Sequence, residues 1–286
     1  MPEGDTLFRT AAGLRPHLVG RVVTAARARV PGPRIDRVVG ARVTAVEVLG
    51  KNLLIRLDNG LELRTHLRMQ GAWHRYRPGE PWRRSAGRAV LVLEVRDAVA
   101  VCFDAPVVEL LETRAEALHS PLADLGPDAT ADGFDRDEAL RRLRDAARTG
   151  RTIAEALLDQ RVLAGVGNVY KSEVLFIERV DPFARVGGLA DEALGRLVDR
   201  ARALLLANRE AVARVTTGTA GGGAPSAASP GAEGRRDARV WVYSRAGRPC
   251  RRCGTIIRAL RHGDLPRTTY WCPRCQPPAG DSGEES

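Results

Sequence analysis

The sequence predicts an α+β protein in three parts: an antiparallel β-sandwich or barrel with a flanking helix, a helical middle, and a small C-terminal β-hairpin built on a metal. Three observations predict it. Short β-rich runs crowd residues 1–118, helix-start signals and helical periodicity take over across 121–213, and four of the five cysteines form two C-x₂-C pairs within 238–276.

The elements follow in order. From Asp5 to Leu18, apolar residues recur three and four apart (Leu7, Ala11, Leu14, Leu18), which predicts an amphipathic helix. Behind it come "RVVTAARARV", "ARVTAVEVL", "NLLIRLD", "LELRTHL", "AVLVLEV", "VAVCF" and "VVELL", each short enough for a strand. Asn59-Gly60 between two of them predicts a two-residue hairpin loop. Asp135 with Glu138, and Thr152 with Glu155, read as helix starts of the capping-box type, the second helix running to about Gln160. After the glycine-rich "LAGVGN", Asn168 is placed to cap the helix "VYKSEVLFI", making a helix–turn–helix element. A further helix runs over Asp191–Asn208, with Leu194, Leu197, Val198, Ala201 and Leu205 on one face. Residues 214–237, which include "GTAGGGAPSAASPGAEGR", are expected to be a flexible linker or loop, and 277–286 a disordered tail.

Composition narrows the function classes. At 44% hydrophobic residues the chain is globular, and no apolar run approaches the roughly 18 residues of a membrane span. With no leader pattern visible, the expected location is the cytoplasm, without a membrane partner. A net charge of +10 suits a polyanionic partner, although an ordinary basic enzyme would also carry it. Among 45 Lys and Arg residues only Lys51 and Lys171 are lysines. A lysine has a proton it can give up and a guanidinium does not, so Lys51, after the glycine in "VLGKNLL", is a candidate for proton transfer.

Four clusters carry chemistry. Cys250, Cys253, Cys272 and Cys275, with 18 residues between the pairs, fit one structural zinc ion held by four thiolates; two disulfides are the alternative. Cys102 lies in an alternating strand and reads as core. The start of the helix after "GVGN" favours an anion, with Asn168 and Lys171 as side-chain contacts, or it is simply a structural turn. In "THLRMQGAW", Met69 between Arg68 and Gln70 is either core or a wedge that fills the gap left by an extruded base; His66 reads as structural. Pro2 and Glu3, behind the initiator methionine, form either a frayed end or a secondary amine with its own acid.

In this order, "PEG", "GK" at Lys51, "HLRMQG", "LLDQRVLAGVGNVYKSE" and "GRPCRRCG…YWCPRCQ" resemble the formamidopyrimidine-DNA glycosylase and endonuclease VIII family of repair enzymes, across almost the whole chain. "PEGD" looks most like actinobacterial endonuclease VIII. The resemblance implies a β-sandwich, a helix–two-turn–helix and a zinc finger, and a bifunctional glycosylase and abasic-site lyase acting on oxidised bases in double-stranded DNA, pyrimidines favoured, as a monomer. Pro2 would be the nucleophile, Glu3 the acid at the sugar ring oxygen and Lys51 a proton donor. Arg267 would grip phosphates from the finger and assist the second elimination, and Asn168 would touch phosphate. Arg68, Met69 and Gln70 would form the insertion triad. The chain departs from the family pattern at Thr6, often an acidic residue, and at Asp124, where a relative carries arginine. The alternatives are a purine-directed glycosylase or a catalytically silent nucleic-acid-binding zinc protein.

Overall fold

The computed structural model describes residues 2–29, 32–145, 150–211, 213–217, 239–262 and 267–278. The chain divides into two compact units, Met1–Leu125 and Gly126–Ser286.

The first unit opens with α1 (Gly4–Leu18), whose Leu7, Ala11, Leu14 and Leu18 are all buried. Among the described residues eight strands follow: β1 (Ala25–Ala28), β2 (Val43–Leu49), β3 (Asn52–Leu57), β4 (Leu61–His66), β5 (Ala72–Tyr76), β6 (Ala89–Val95), β7 (Ala98–Phe103) and β8 (Val107–Glu112). They form two antiparallel sheets, ordered β1-β6-β7-β5 and β2-β3-β4-β8. Residues of α1 and of both sheets share one apolar core, in which Leu53, Ile55, Leu63, Leu91 and Cys102 are fully buried. This is a sandwich rather than a barrel. Short α2 (Ser120–Ala123) closes the unit.

Two expectations change here. Strand β5 is missing from the sequence reading because its burial (Trp73 and Tyr76 in, Arg75 out) does not follow a clean alternation. The β3–β4 loop also has three residues instead of two. Only Gly60 of the Asn59-Gly60 pair has positive φ (78°), and its N–H bonds to Leu57 at 3.3 Å, the pattern of a type I turn followed by a left-handed glycine.

The second unit holds α3 (Arg136–Arg144), α4 (Ile153–Leu158), α5 (Asn168–Ile177) and α6 (Asp191–Ala207), packed about Ile153, Leu157, Leu163, Tyr170, Leu175, Leu197 and Leu204. Thr152 and Glu155 make a complete capping box, whereas Asp135 caps α3 alone because the Glu138 carboxylate is taken by Arg141 and Arg142. Strands β9 (Arg258–His262) and β10 (Arg267–Trp271) form an antiparallel hairpin. Its small core, Val242, Cys250, Ile257 and Cys272, packs on Phe176 of α5.

Residues 214–217, expected as the start of the linker, are described and Thr216 is tied into the second unit. Thr216 is buried, its N–H donates to Arg239 O at 2.8 Å, and Trp241 Nε1 donates back to Thr216 O at 3.1 Å. Residues 218–238 and 279–286 lie outside the described residues. Among the described residues no helix is long and apolar enough to cross a membrane.

Candidate active site and nucleic-acid interface

In the first unit, pairing fixes where the site residues fall. Gly20 N–H bonds to Val43 O at 2.8 Å and Arg15 Nε to Val46 O at 2.7 Å, so α1 lies against β2 and runs the opposite way. Going back along α1 from Arg15 to Glu3 therefore leads toward the end of β2 that turns into β3, and Lys51 is in that turn. Glu3 is fully buried and its carbonyl accepts from Thr6 and Leu7, starting the helix, while Pro2 just ahead is partly buried. Asp5, passed over in the sequence, is a buried carboxylate 3.1 Å from Arg9 and one residue ahead of Thr6.

Lys51 sits in the turn joining β2 to β3, beside Gly50 at φ 60°. Asn52 pairs with His66, so this turn and the chain leaving β4 emerge from the same end of the sheet. Buried Asn52 closes the turn by donating Nδ2 to Leu49 O at 3.1 Å and accepts from Arg64 Nε at 2.9 Å. Arg64 is held in turn by Glu109, which His119 also contacts at 3.1 Å. The sequence passed over this chain because its members are far apart in number. Burial, and then the charges of Lys51, Arg64 and Arg68, push the His66 imidazole down to about 4. Neutral at working pH, His66 accepts the Arg68 N–H at Nδ1, 3.2 Å away.

That bond supports a strained turn. Arg68 has φ 47°, a left-handed conformation unusual for a side-chain-bearing residue, and Met69 is 54% exposed at the tip. Gly71 N–H closes the turn on Leu67 O at 2.9 Å, and a Cβ at Gly71 would sit 2.6 Å from that same oxygen. Gln70 is exposed and its carbonyl accepts from Arg84 at 3.2 Å. Met69 is thus not core.

In the second unit, Gln160 braces the glycine-rich turn, donating Nε2 to Leu158 and Val166 carbonyls and accepting from Gly165 N–H at 3.1 Å. The N-cap of α5 is Gly167, and Asn168 is the first helical residue with no capping bond. The expected cap fails because the Asn168 amide is turned away, donating Nδ2 to Thr268 O of β10 at 2.8 Å. Lys171 is fully buried; its ammonium donates to Asn168 Oδ1 and Thr269 Oγ1, both at 2.8 Å. A direct phosphate contact does not fit that burial. Arg267, at the start of β10, is exposed. Glu173, unremarked in the sequence, is buried and accepts from the Thr216 hydroxyl and from the N–H groups of Trp241 (2.7 Å), Val242 (2.9 Å) and Tyr243 (2.8 Å). Its signal was a lone carboxylate inside the apolar run "VLFI" and "VY" of α5.

The cysteine sulfurs of Cys250, Cys253, Cys272 and Cys275 all lie within 4.8 Å of one another, with Cys253–Cys272 at 3.5 Å and Cys250–Cys275 at 3.9 Å. A tetrahedron of sulfurs about 2.3 Å from zinc has edges of about 3.8 Å, whereas a disulfide needs about 2.05 Å. The donor set fits one structural zinc ion. Tight turns present the thiolates: Cys250 N–H bonds to Thr255 O, and Cys272 exchanges bonds with Gln276.

Residues 1–106 match the formamidopyrimidine-DNA glycosylase N-terminal domain, 125–220 its H2TH domain, and 247–278 a zinc finger found in FPG and IleRS. A "Probable endonuclease 8 2" of Streptomyces coelicolor is 40% identical over 96% of this chain and 94% of its own length. The chain belongs to the formamidopyrimidine-DNA glycosylase and endonuclease VIII family. Within it, the "DNA-(apurinic or apyrimidinic site) lyase Nei2" of Mycolicibacterium smegmatis is 41% identical over 96% of this chain and 99% of its own. A formamidopyrimidine-DNA glycosylase of Aromatoleum aromaticum is 33% identical over 96% and 99%. The fold is also that of the Lactococcus lactis formamidopyrimidine-DNA glycosylase solved on abasic-site DNA, with a TM-score of 0.77 at 22% identity, covering 97% of this chain and 100% of that one.

Proposed function

We propose that this protein is a bifunctional DNA glycosylase and abasic-site lyase of base excision repair that removes oxidised bases from double-stranded DNA, pyrimidines ahead of purines. Glycosylase and lyase chemistry goes with the family. The observation that supports the mechanism is the course of α1, antiparallel to β2, which takes Glu3 and the turn holding Lys51 toward the same end of that pair. The preference for pyrimidines is supported by identities of 40–42% to endonuclease 8 relatives against 31–33% to formamidopyrimidine-DNA glycosylases.

Once Met1 is removed, Pro2 presents a secondary amine, and an α-amino group of ordinary pKa about 7.7–8.0 keeps a useful neutral fraction. Its lone pair bonds to the anomeric carbon as the bond to the damaged base breaks. Glu3 protonates the ring oxygen, and Lys51 supplies a proton in base loss or the first elimination. The resulting iminium nitrogen has no hydrogen to lose, so its positive charge acidifies the adjacent sugar proton and the strand breaks by elimination. Arg267 grips the flanking phosphates and assists the second elimination. Asn168 and the start of α5 hold phosphate, while Met69, between Arg68 and Gln70, fills the vacated place in the duplex. Zinc supplies folding energy to the finger and no chemistry. The enzyme works as a cytoplasmic monomer, and its net charge of +10 draws it to DNA.

Borohydride reduction during reaction with a duplex containing oxidised thymine is expected to trap a covalent adduct that maps to Pro2. No adduct, an adduct elsewhere, or full-speed cutting by protein whose intact mass retains Met1 overturns the mechanism. Faster excision from 8-oxoguanine than from thymine-glycol duplexes reverses the base preference.

A further inference from the structure

Lys171 is one of two lysines in a chain that otherwise writes its cations as arginine, and it is fully buried. Its position gives it no local reason to be there. It stands in the first turn of α5, where the helix dipole disfavours a positive charge, and an apolar side chain would fill the same volume without losing hydration. Its ammonium makes short bonds to Asn168 Oδ1 on its own helix and to Thr269 Oγ1 on β10, both at 2.8 Å. Asn168 reaches the same strand through Nδ2 to Thr268 O, again at 2.8 Å.

We propose that Lys171 is a positioning residue that presets the DNA grip of Asn168 and Arg267 together. It rests on the reading of those two as phosphate contacts. An asparagine amide can turn over, exchanging its oxygen for its NH₂. An ammonium has only donors, so at Oδ1 it permits one orientation. The NH₂ then faces β10 with one hydrogen on Thr268; unlike Lys171, at 0%, Asn168 keeps 6% of its surface exposed, and on this proposal its second hydrogen serves the phosphate. The bond to Thr269 fixes β10 two residues from Arg267, so the helix start and the finger arginine are set by a single charged centre. Arginine would not serve. Its planar fork is larger and its donors diverge, whereas Lys171 must bond two acceptors within a closed space.

The test compares Lys171→Met and Thr269→Val, alone and combined, with Asn168→Ala and Arg267→Ala as references. Affinity for a duplex carrying a reduced abasic analogue is read by fluorescence anisotropy, beside zinc content and thermal midpoint. Each of K171M and T269V is expected to weaken binding about tenfold with zinc stoichiometry kept, and the double variant to bind no worse than either. Lys171→Arg is expected not to restore wild-type affinity. Wild-type binding by T269V, losses that multiply in the double variant, or weakening only in step with lost zinc would overturn the proposal. T269V keeps the test decisive if K171M does not fold. Wild-type binding by N168A and R267A would instead remove the phosphate reading beneath it.

Discussion

The two lysines mark two regions built on different principles. Lys51 is partly buried in a turn at the end of a sandwich whose stability comes from apolar residues of α1 and both sheets. Lys171 is fully buried between α5 and β10, in a junction whose finger contributes only a small apolar cluster. Where a large apolar core carries the fold, a residue in a turn beyond it, as Lys51 is, can change without touching stability, even though Asn52 and Arg64 are buried close by. Where the core is small, buried polar groups and a metal hold the parts, and recognition and stability become one property.

Metal removal tests that contrast most severely. Chelation, or Cys272→Ser, is expected to unfold the finger and weaken DNA binding by about a hundredfold or more, because metal binding there is folding energy. Calorimetry should show the sandwich melting at its original temperature. A sandwich transition that moved with zinc would break the comparison. Lys51→Met is the counterpart at the other region: single-turnover base excision is expected to slow by about 10²–10⁴-fold, with stability to urea changed by less than about 0.5 kcal/mol.

Glu173→Gln sharpens the second half. Three backbone N–H groups and the Thr216 hydroxyl converge on this carboxylate. An amide accepts at only one end, so urea denaturation should show a loss of about 3 kcal/mol in the second unit, with weaker DNA binding alongside. The smallest effect concerns His66, pushed by burial from 6.5 down to about 4. A histidine with a lowered folded value contributes its full stability above the unfolded value near 6.5, and that contribution is lost as pH falls toward 4. His66→Gln should flatten the urea midpoint between pH 7 and pH 4.5, as it has no proton to take up.

What the sequence made legible was whatever is encoded locally. The cysteine spacing, the periodicity of α1 and α6 and the Thr152–Glu155 box all depend on neighbours within a few residues, and each is found in the structure. Strand β5 escaped because its inward residues do not alternate. Asn168 looked like a cap and Lys171 like a phosphate contact because their partners, Thr268 and Thr269, lie about a hundred residues away. The Asn52–Arg64–Glu109–His119 chain was hidden for the same reason: pairing of β3, β4 and β8 is what collects it. The sequence placed Met69 at a loop boundary without deciding whether it was core, and the left-handed Arg68 beside it is what puts it outside.

Thr216 and Arg239 are bonded to each other, and the same carboxylate of Glu173 fastens Thr216 and Trp241. One side chain of α5 thus clasps Thr216 after the helices and Trp241 ahead of the cysteines. A single substitution at Glu173 would therefore loosen both at once, so any drift in how the finger is held traces back to the same helix that begins at Asn168.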